Sequence, residues 1–93
     1  MIARDKAETV ALQALGWLAG NEDLFPVFLG ATGADVSDLA TAATQPTFLA
    51  AVMDFLLTDD AWVMAFCDDA QLRYEVPMQA RAMLPGGAQI NWT

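Results

Sequence analysis

Chemistry in this chain would have to begin with its acids. Asp59 and Asp60 form one adjacent pair and Asp68 and Asp69 a second, and paired carboxylates serve both general acid–base catalysis and divalent-cation binding. The pairs bracket a helical stretch and lie about nine residues, roughly 13 Å, apart along its axis. That is too far for one metal ion or one acid–base couple. The order of acids also lacks the alternating carboxylates, central Gly and closing Glu of a calcium loop. Asp59 and Asp60 fit a helix start, where Thr58 or Asp59 accepts from free N–H groups and Asp60 faces the positive dipole end. Asp68 and Asp69 fall at the other end, where negative charge opposes the dipole. They require a partner, either Arg73 or Arg81 within the chain or the surface of another protein.

The remaining reactive types are few. Ser37 is the only serine and the chain has no histidine to activate it. The single Cys67 falls on an apolar helix face and reads as a small buried hydrophobe. Without His, and with one Cys, a zinc site would need several carboxylates, an unusual donor set for that metal. Gly30 and Gly33 follow no strand and precede no Lys-Ser or Lys-Thr, so they make no phosphate loop. These absences predict a protein that is not an enzyme, with no catalytic, cofactor-binding or metal-binding residue.

Twelve acids against four bases give a net charge of -8, and the bases Arg4, Lys6, Arg73 and Arg81 are dispersed along the chain. Phosphate neutralisation supplies nearly all non-specific nucleic-acid affinity, so nucleic-acid binding is not expected. Residues 36–57 have the length of a helix-turn-helix unit, but the second helix carries an acid, Asp54, and no base. An anionic membrane surface is disfavoured on the same ground. The twenty residues 48–67 are long enough to span a bilayer. Asp54, Asp59 and Asp60 exclude this, each costing about 2.5 to 3.5 kcal/mol near the bilayer centre. The N-terminal ten residues lack the apolar run and cleavage site of a secretory signal, which predicts a cytoplasmic location. Acidity of this degree suits a basic partner.

The elements that position these residues are legible from periodicity. Hydrophobic residues make up 56% of the chain, alanine is abundant, and β-branched residues are scattered, which predicts an all-α fold. A chain of this length buries roughly 60 to 65% of the surface its unfolded form exposes. A compact single-domain bundle of five to six short helices is expected, ordered over about 5–85, with residues 1–4 and the tail 86–93 loose. A first helix over 5–19 places Ala7, Val10, Ala11, Ala14, Leu15, Trp17 and Leu18 on one face. Asp5 and Glu8 have capping-box spacing, and Gly20 is placed to end the helix in a left-handed conformation. Asn21 caps a second helix over 22–29, ending near Gly30. Leu24, Phe25, Val27, Phe28 and Leu29 are too many for one narrow stripe. That helix is either buried on most sides, the preferred reading, or leaves aromatic surface for a partner.

Asp35 starts a third helix to Ala43, with Val36, Leu39, Ala40 and Ala43 inward. The stretch 46–70 is the expected centre of the fold. Its helix 46–57 opens with Pro46, capped by Thr44 or Gln45, and buries Phe48, Leu49, Val52, Met53, Phe55 and Leu56. Its partner 59–70 buries Trp62, Val63, Phe66, Cys67 and Ala70 and turns Met64, Ala65 and Asp68 outward. The two form an antiparallel or steeply crossed pair on which the rest packs. Pro77 opens a last helix to about 83, stopped by Pro85, Gly86 and Gly87. Trp92 folds back toward the core.

The run ALQALGWLAGNEDLFPVFLGATGADVSDL, then PTFLAAVMDFLLTDDAWVMAFC and the late VPMQARAML, resembles the small alphaproteobacterial proteins grouped as domain of unknown function 3572. The resemblance covers about residues 7 to 87 and rests on the order of the pieces. These are a Trp-Leu-Ala helix end, a Phe-Leu-x-x-x-Gly turn, a Phe-Leu-x-x-Val-x-Asp-Phe-Leu helix and a closing Ala-Arg helix. It implies a bacterial cytoplasmic helical domain and carries over no functional residue. The leading reading is a non-enzymatic interaction module, docking another protein or itself as a homodimer, through Phe25, Phe28, Trp62, Asp68 and Asp69. The alternative is a small-ligand carrier or sensor whose apolar pocket is lined by Met and Phe residues around 48–66. Against it, Met53, Met64, Met78 and Met83 read as core filler.

Overall fold

A computed structural model describes residues 2–86. The described residues form six α-helices and one 3-10 turn, with no strand: α1 (Arg4–Ala19), α2 (Phe25–Thr32), the turn Val36–Asp38, α3 (Leu39–Ala42), α4 (Pro46–Leu56), α5 (Asp60–Ala70) and α6 (Val76–Ala82). The all-α bundle expected from composition is what forms. The expected fold-back of Trp92 lies outside the described residues.

The first helix, not the central pair, is the hub. Ala7, Val10, Ala11, Ala14 and Leu18 are fully buried, and α1 packs against α2, α4, α5 and α6. Small side chains on its inner face let neighbouring helices approach closely, and interaxial distance is set by the side chains at the contact. Ala50 of α4 and Ala80 of α6 are buried in the same cluster. The expectation that everything packs on residues 46–70 is therefore corrected: α4 packs chiefly on α1 and α6. Between α4 and α5 the main aromatic contact is Phe55 stacked on Trp62, with centroids 5.0 Å apart. An alanine face carries little hydrophobic signal in sequence, whereas the aromatics of 46–70 carry much.

Within α4 the expected face is realised, with Leu49, Val52, Met53, Phe55 and Leu56 buried and Phe48 half-buried. Pro46 sits in the first turn; Gln45 holds the cap position without a side-chain hydrogen bond. Asp59 caps α5 by accepting from the Ala61 N–H at 2.8 Å, and Val63, Phe66 and Cys67 of that helix are buried.

Other helix ends differ from expectation. The cap of α1 is Ala3, with no side-chain hydrogen bond, so Asp5 and Glu8 form no capping box; Glu8 instead pairs with Arg4 at 3.5 Å. Helix α1 opens at Arg4, and Ile2 packs against the core. Gly20 ends α1 at φ -86° rather than in the left-handed region. Asn21 Oδ1 accepts from the Asp23 and Leu24 N–H groups, each at 3.0 Å, and this turn occupies 22–24. Pro26 has no N–H to continue a ladder back into that turn, so α2 begins at Phe25 and runs on past Gly30 to Gly33. Gly33 takes φ 74°, the left-handed cap that glycine adopts without a Cβ clash. Only Phe28 of α2 is fully buried and Val27 is 54% exposed, so the helix is not buried on most sides. The segment after Asp35 begins as a 3-10 turn, with Asp35 accepting from the Ser37 N–H at 3.3 Å. Val36 is 59% exposed there, not inward.

A bidentate ion pair joins the last helix to α4. The Arg81 guanidinium donates through Nε to Asp54 Oδ1 and through Nη2 to Asp54 Oδ2, and through Nη1 to the Pro85 carbonyl at 3.0 Å. Forked geometry of this kind fixes orientation as well as adding attraction.

If the alanine face of α1 sets the helix spacing, Ala11→Leu forces the neighbours apart. Urea unfolding is expected to show a loss of about 1 to 3 kcal/mol, whereas Leu12→Ala, at an exposed neighbouring position, changes stability by no more than about 0.5 kcal/mol.

Candidate functional site

The residues expected to meet a partner divide into two groups. Phe25, Phe28 and Trp62 belong to one aromatic chain: Phe25 stacks on Phe28 at 6.4 Å, Phe28 meets Phe55 edge-on at 5.4 Å, and Phe55 stacks on Trp62. Phe28 also meets Phe48 edge-on at 6.0 Å. Pairs of this geometry add about 0.5 to 1.5 kcal/mol each beyond area burial. Phe28 has no exposed surface at all, so it cannot touch a partner while the fold is intact. Phe25 and Trp62 are half-buried against the core. This chain ties α2, α4 and α5 together, and its exposed edge is narrow.

Asp68 and Asp69 are exposed and held by neither arginine. Asp69 Oδ2 accepts from the Trp17 indole N–H at 2.7 Å, fastening α5 to α1. Asp68 Oδ1 accepts from the Tyr74 hydroxyl at 2.9 Å. Arg73 pairs with Glu75 at 2.8 Å and Arg81 with Asp54. The acids at the end of α5 thus accept from neutral aromatic donors. Neither has a cation paired with it among the described residues.

The segment joining α5 to α6 is tightly built. Gln71 takes φ 58°, a left-handed cap in which its N–H and that of Leu72 both reach the Cys67 carbonyl. The Cys67 thiol is buried and donates to the Arg73 carbonyl at 3.5 Å. Burial first, then the charges of Asp68 and Glu75, push the thiol above its ordinary pKa. Its contribution to stability is therefore complete below the free thiol value of about 8.5 and is lost as pH rises past the raised native value. At neutral pH it is a protonated core group.

This segment presents the feature that sequence reasoning missed. Leu57, Asp60, Val63, Met64, Tyr74 and Met78 line an open groove of about 350 Å³ between α5 and the start of α6. Met64, Tyr74 and Met78 are 44%, 51% and 68% exposed, whereas the other exposed large apolar side chains, Leu12, Val27 and Val36, do not line it. The expectation that the methionines fill the core holds for Met53, which is fully buried, and in part for Met83. It fails for Met64 and Met78. The signal was partly present: the helical wheel of α5 turns Met64 outward beside Ala65 and Asp68. Phe66 and Met53 belong to the packed core; of the groove residues Val63 is also buried, whereas Met64, Tyr74 and Met78 are exposed. Among the described residues no three His, Cys, Asp or Glu side chains converge to hold a metal ion.

The hydrogen bond to Asp68, then the charge of that carboxylate, raises the Tyr74 pKa. The bond favours the protonated phenol, so its stabilisation is complete below about pH 10 and lost as pH climbs past the raised native value. Because Tyr74 is the only tyrosine, phenolate absorbance reports it alone. Its midpoint is expected above that of free tyrosine and is expected to fall in Asp68→Asn; an unchanged midpoint in that variant would contradict the assigned bond.

No helix among the described residues is long and apolar enough to cross a membrane. No curated protein and no solved structure matches the chain. The family described as Protein of unknown function (DUF3572) matches residues 4–87, which takes in all six helices and both walls of the groove. The chain belongs to the DUF3572 family.

Proposed function

We propose that this DUF3572 domain is a non-enzymatic protein-interaction module of the alphaproteobacterial cytoplasm, which docks another protein on the Met64, Tyr74 and Met78 face. The observation that carries the reading is the convergence of these three exposed side chains on one groove. Exposed apolar residues scattered singly are ordinary, whereas the convergence of three of them on one groove favours an interaction site. Methionine suits such a surface because its unbranched, polarizable side chain adapts to the shape of what it meets. The composition supports a role without catalysis: there is no histidine, and the single thiol is buried and kept protonated. An open groove favours a macromolecular partner over an enclosed small ligand, since small-molecule sites bury most of what they bind. Phe25, Trp62 and Asp69 act in this reading as structural residues, and Asp68 positions Tyr74.

A photo-crosslinking amino acid placed at Met78 in cells is expected to capture a discrete protein, and the adduct is expected to weaken when Met64→Ser is added. The same group at Thr9, exposed on α1, is expected to capture nothing comparable. Equal capture at both positions, or none at Met78, would overturn the proposal.

A further inference from the structure

We infer that the occupant of this groove is a basic amphipathic helix of another protein, an inference that rests on the docking reading above and gives the partner its chemistry. The apolar centre of the groove sits within a regular pattern of charge. Asp60, Met64 and Asp68 recur every fourth residue along α5, and residues four apart lie on one helical face. The outer side of α5 is therefore an acid–methionine–acid stripe about 12 Å long. Asp60 lines the groove itself, and Asp68 is bonded to its wall through Tyr74. No lysine or arginine pairs with either acid among the described residues. The one cation nearby in sequence, Arg73, is already held by Glu75.

A helix laid along this stripe meets it in register if it carries a base, a large apolar residue and a second base at the same four-residue spacing. The apolar residue then enters between Met64, Tyr74 and Met78 while the bases reach Asp60 and Asp68. A second copy of this chain is the wrong occupant, because it brings another charge of -8 and the same acids to the same stripe. Like charges brought together in that way oppose association. Electrostatic complementarity at the rim chiefly sets encounter rate and selectivity, while the methionine and tyrosine side chains supply the apolar contact.

The test uses the full chain with methionine methyl groups labelled for NMR and synthetic helical peptides of about 18 residues. One peptide carries leucines on one face flanked by lysines, a second has glutamate in place of lysine, and a third has the lysine composition in scrambled order. The lysine peptide is expected to shift the Met64 and Met78 signals saturably and to bind at least about tenfold more tightly than the other two. Its affinity is expected to fall as salt rises. It should weaken roughly three- to tenfold in Asp60→Asn/Asp68→Asn and change less than about twofold in Asp5→Asn/Asp38→Asn, whose acids do not line the groove. Equal shifts by the glutamate peptide would overturn the basic partner and leave the docking face standing. Equal shifts by the scrambled peptide would overturn the helical register. Shifts of the same methyl groups with protein concentration alone would make a second copy the occupant and overturn the inference. Failure of every peptide to move Met64 and Met78 would overturn it too, and the crosslink at Met78 would then decide separately whether the face docks anything.

Discussion

The close approach of helices across the alanine face of α1 is the constraint on which the rest depends. Ala7, Ala11 and Ala14 have no exposed surface, and their small side chains leave room for α4 and α6 to lie close against the first helix. Interiors packed to crystal density tolerate little change in side-chain volume, so these positions fix where α4 and α6 sit. The fork between Arg81 and Asp54 then fastens those two helices at the surface. With α6 held in this way, its first turn comes to rest beside the outer face of α5.

The polar groups at the end of α5 complete the placement. Carboxylates at a helix C-terminus oppose the dipole, and here both are engaged by donors from other elements. The Trp17 indole on Asp69 anchors α5 to α1, and the Tyr74 hydroxyl on Asp68 anchors the following segment. Gln71 reverses the chain in a left-handed conformation that costs a non-glycine residue roughly 1 to 2 kcal/mol. The cost is met by its surroundings: two N–H groups reach the Cys67 carbonyl, and Leu72 packs against the core. The same short segment thus carries backbone strain, the Arg73 carbonyl that accepts from the buried Cys67 thiol, and one wall of the groove.

Much of this was legible in the sequence, and the failures have definite causes. The faces of α1, α4 and α5 follow from the 3.6-residue period, because each has one buried side and the polar residues fall opposite. The cap of α5 was readable to within one residue, Thr58 or Asp59, because the capping side chain acts within two residues of itself. The hub role of α1 was hidden because alanine signals helix propensity and packing in the same letter. The start of α2 was misplaced by one turn because Asn21 closes its own turn before Pro26 permits the helix. For Asp68 and Asp69 the sequence left an arginine or another protein's surface open, and the donors within the fold are Tyr74 and Trp17. Trp17 lies 52 residues from Asp69, a pairing only the tertiary fold creates. The groove escaped notice because Met64 and Met78 belong to different helices, and methionine usually fills cores.

The most direct test of the central claim is the rate of methionine oxidation by dilute peroxide, read residue by residue by mass spectrometry on the native protein. Met64 and Met78 are expected to oxidise early, and Met53, buried at the contact of the helices, only on unfolding. Protection of Met64 and Met78 to the level of Met53, or early oxidation of Met53, would contradict the arrangement of α1, α5 and α6 described above and remove the face on which docking depends.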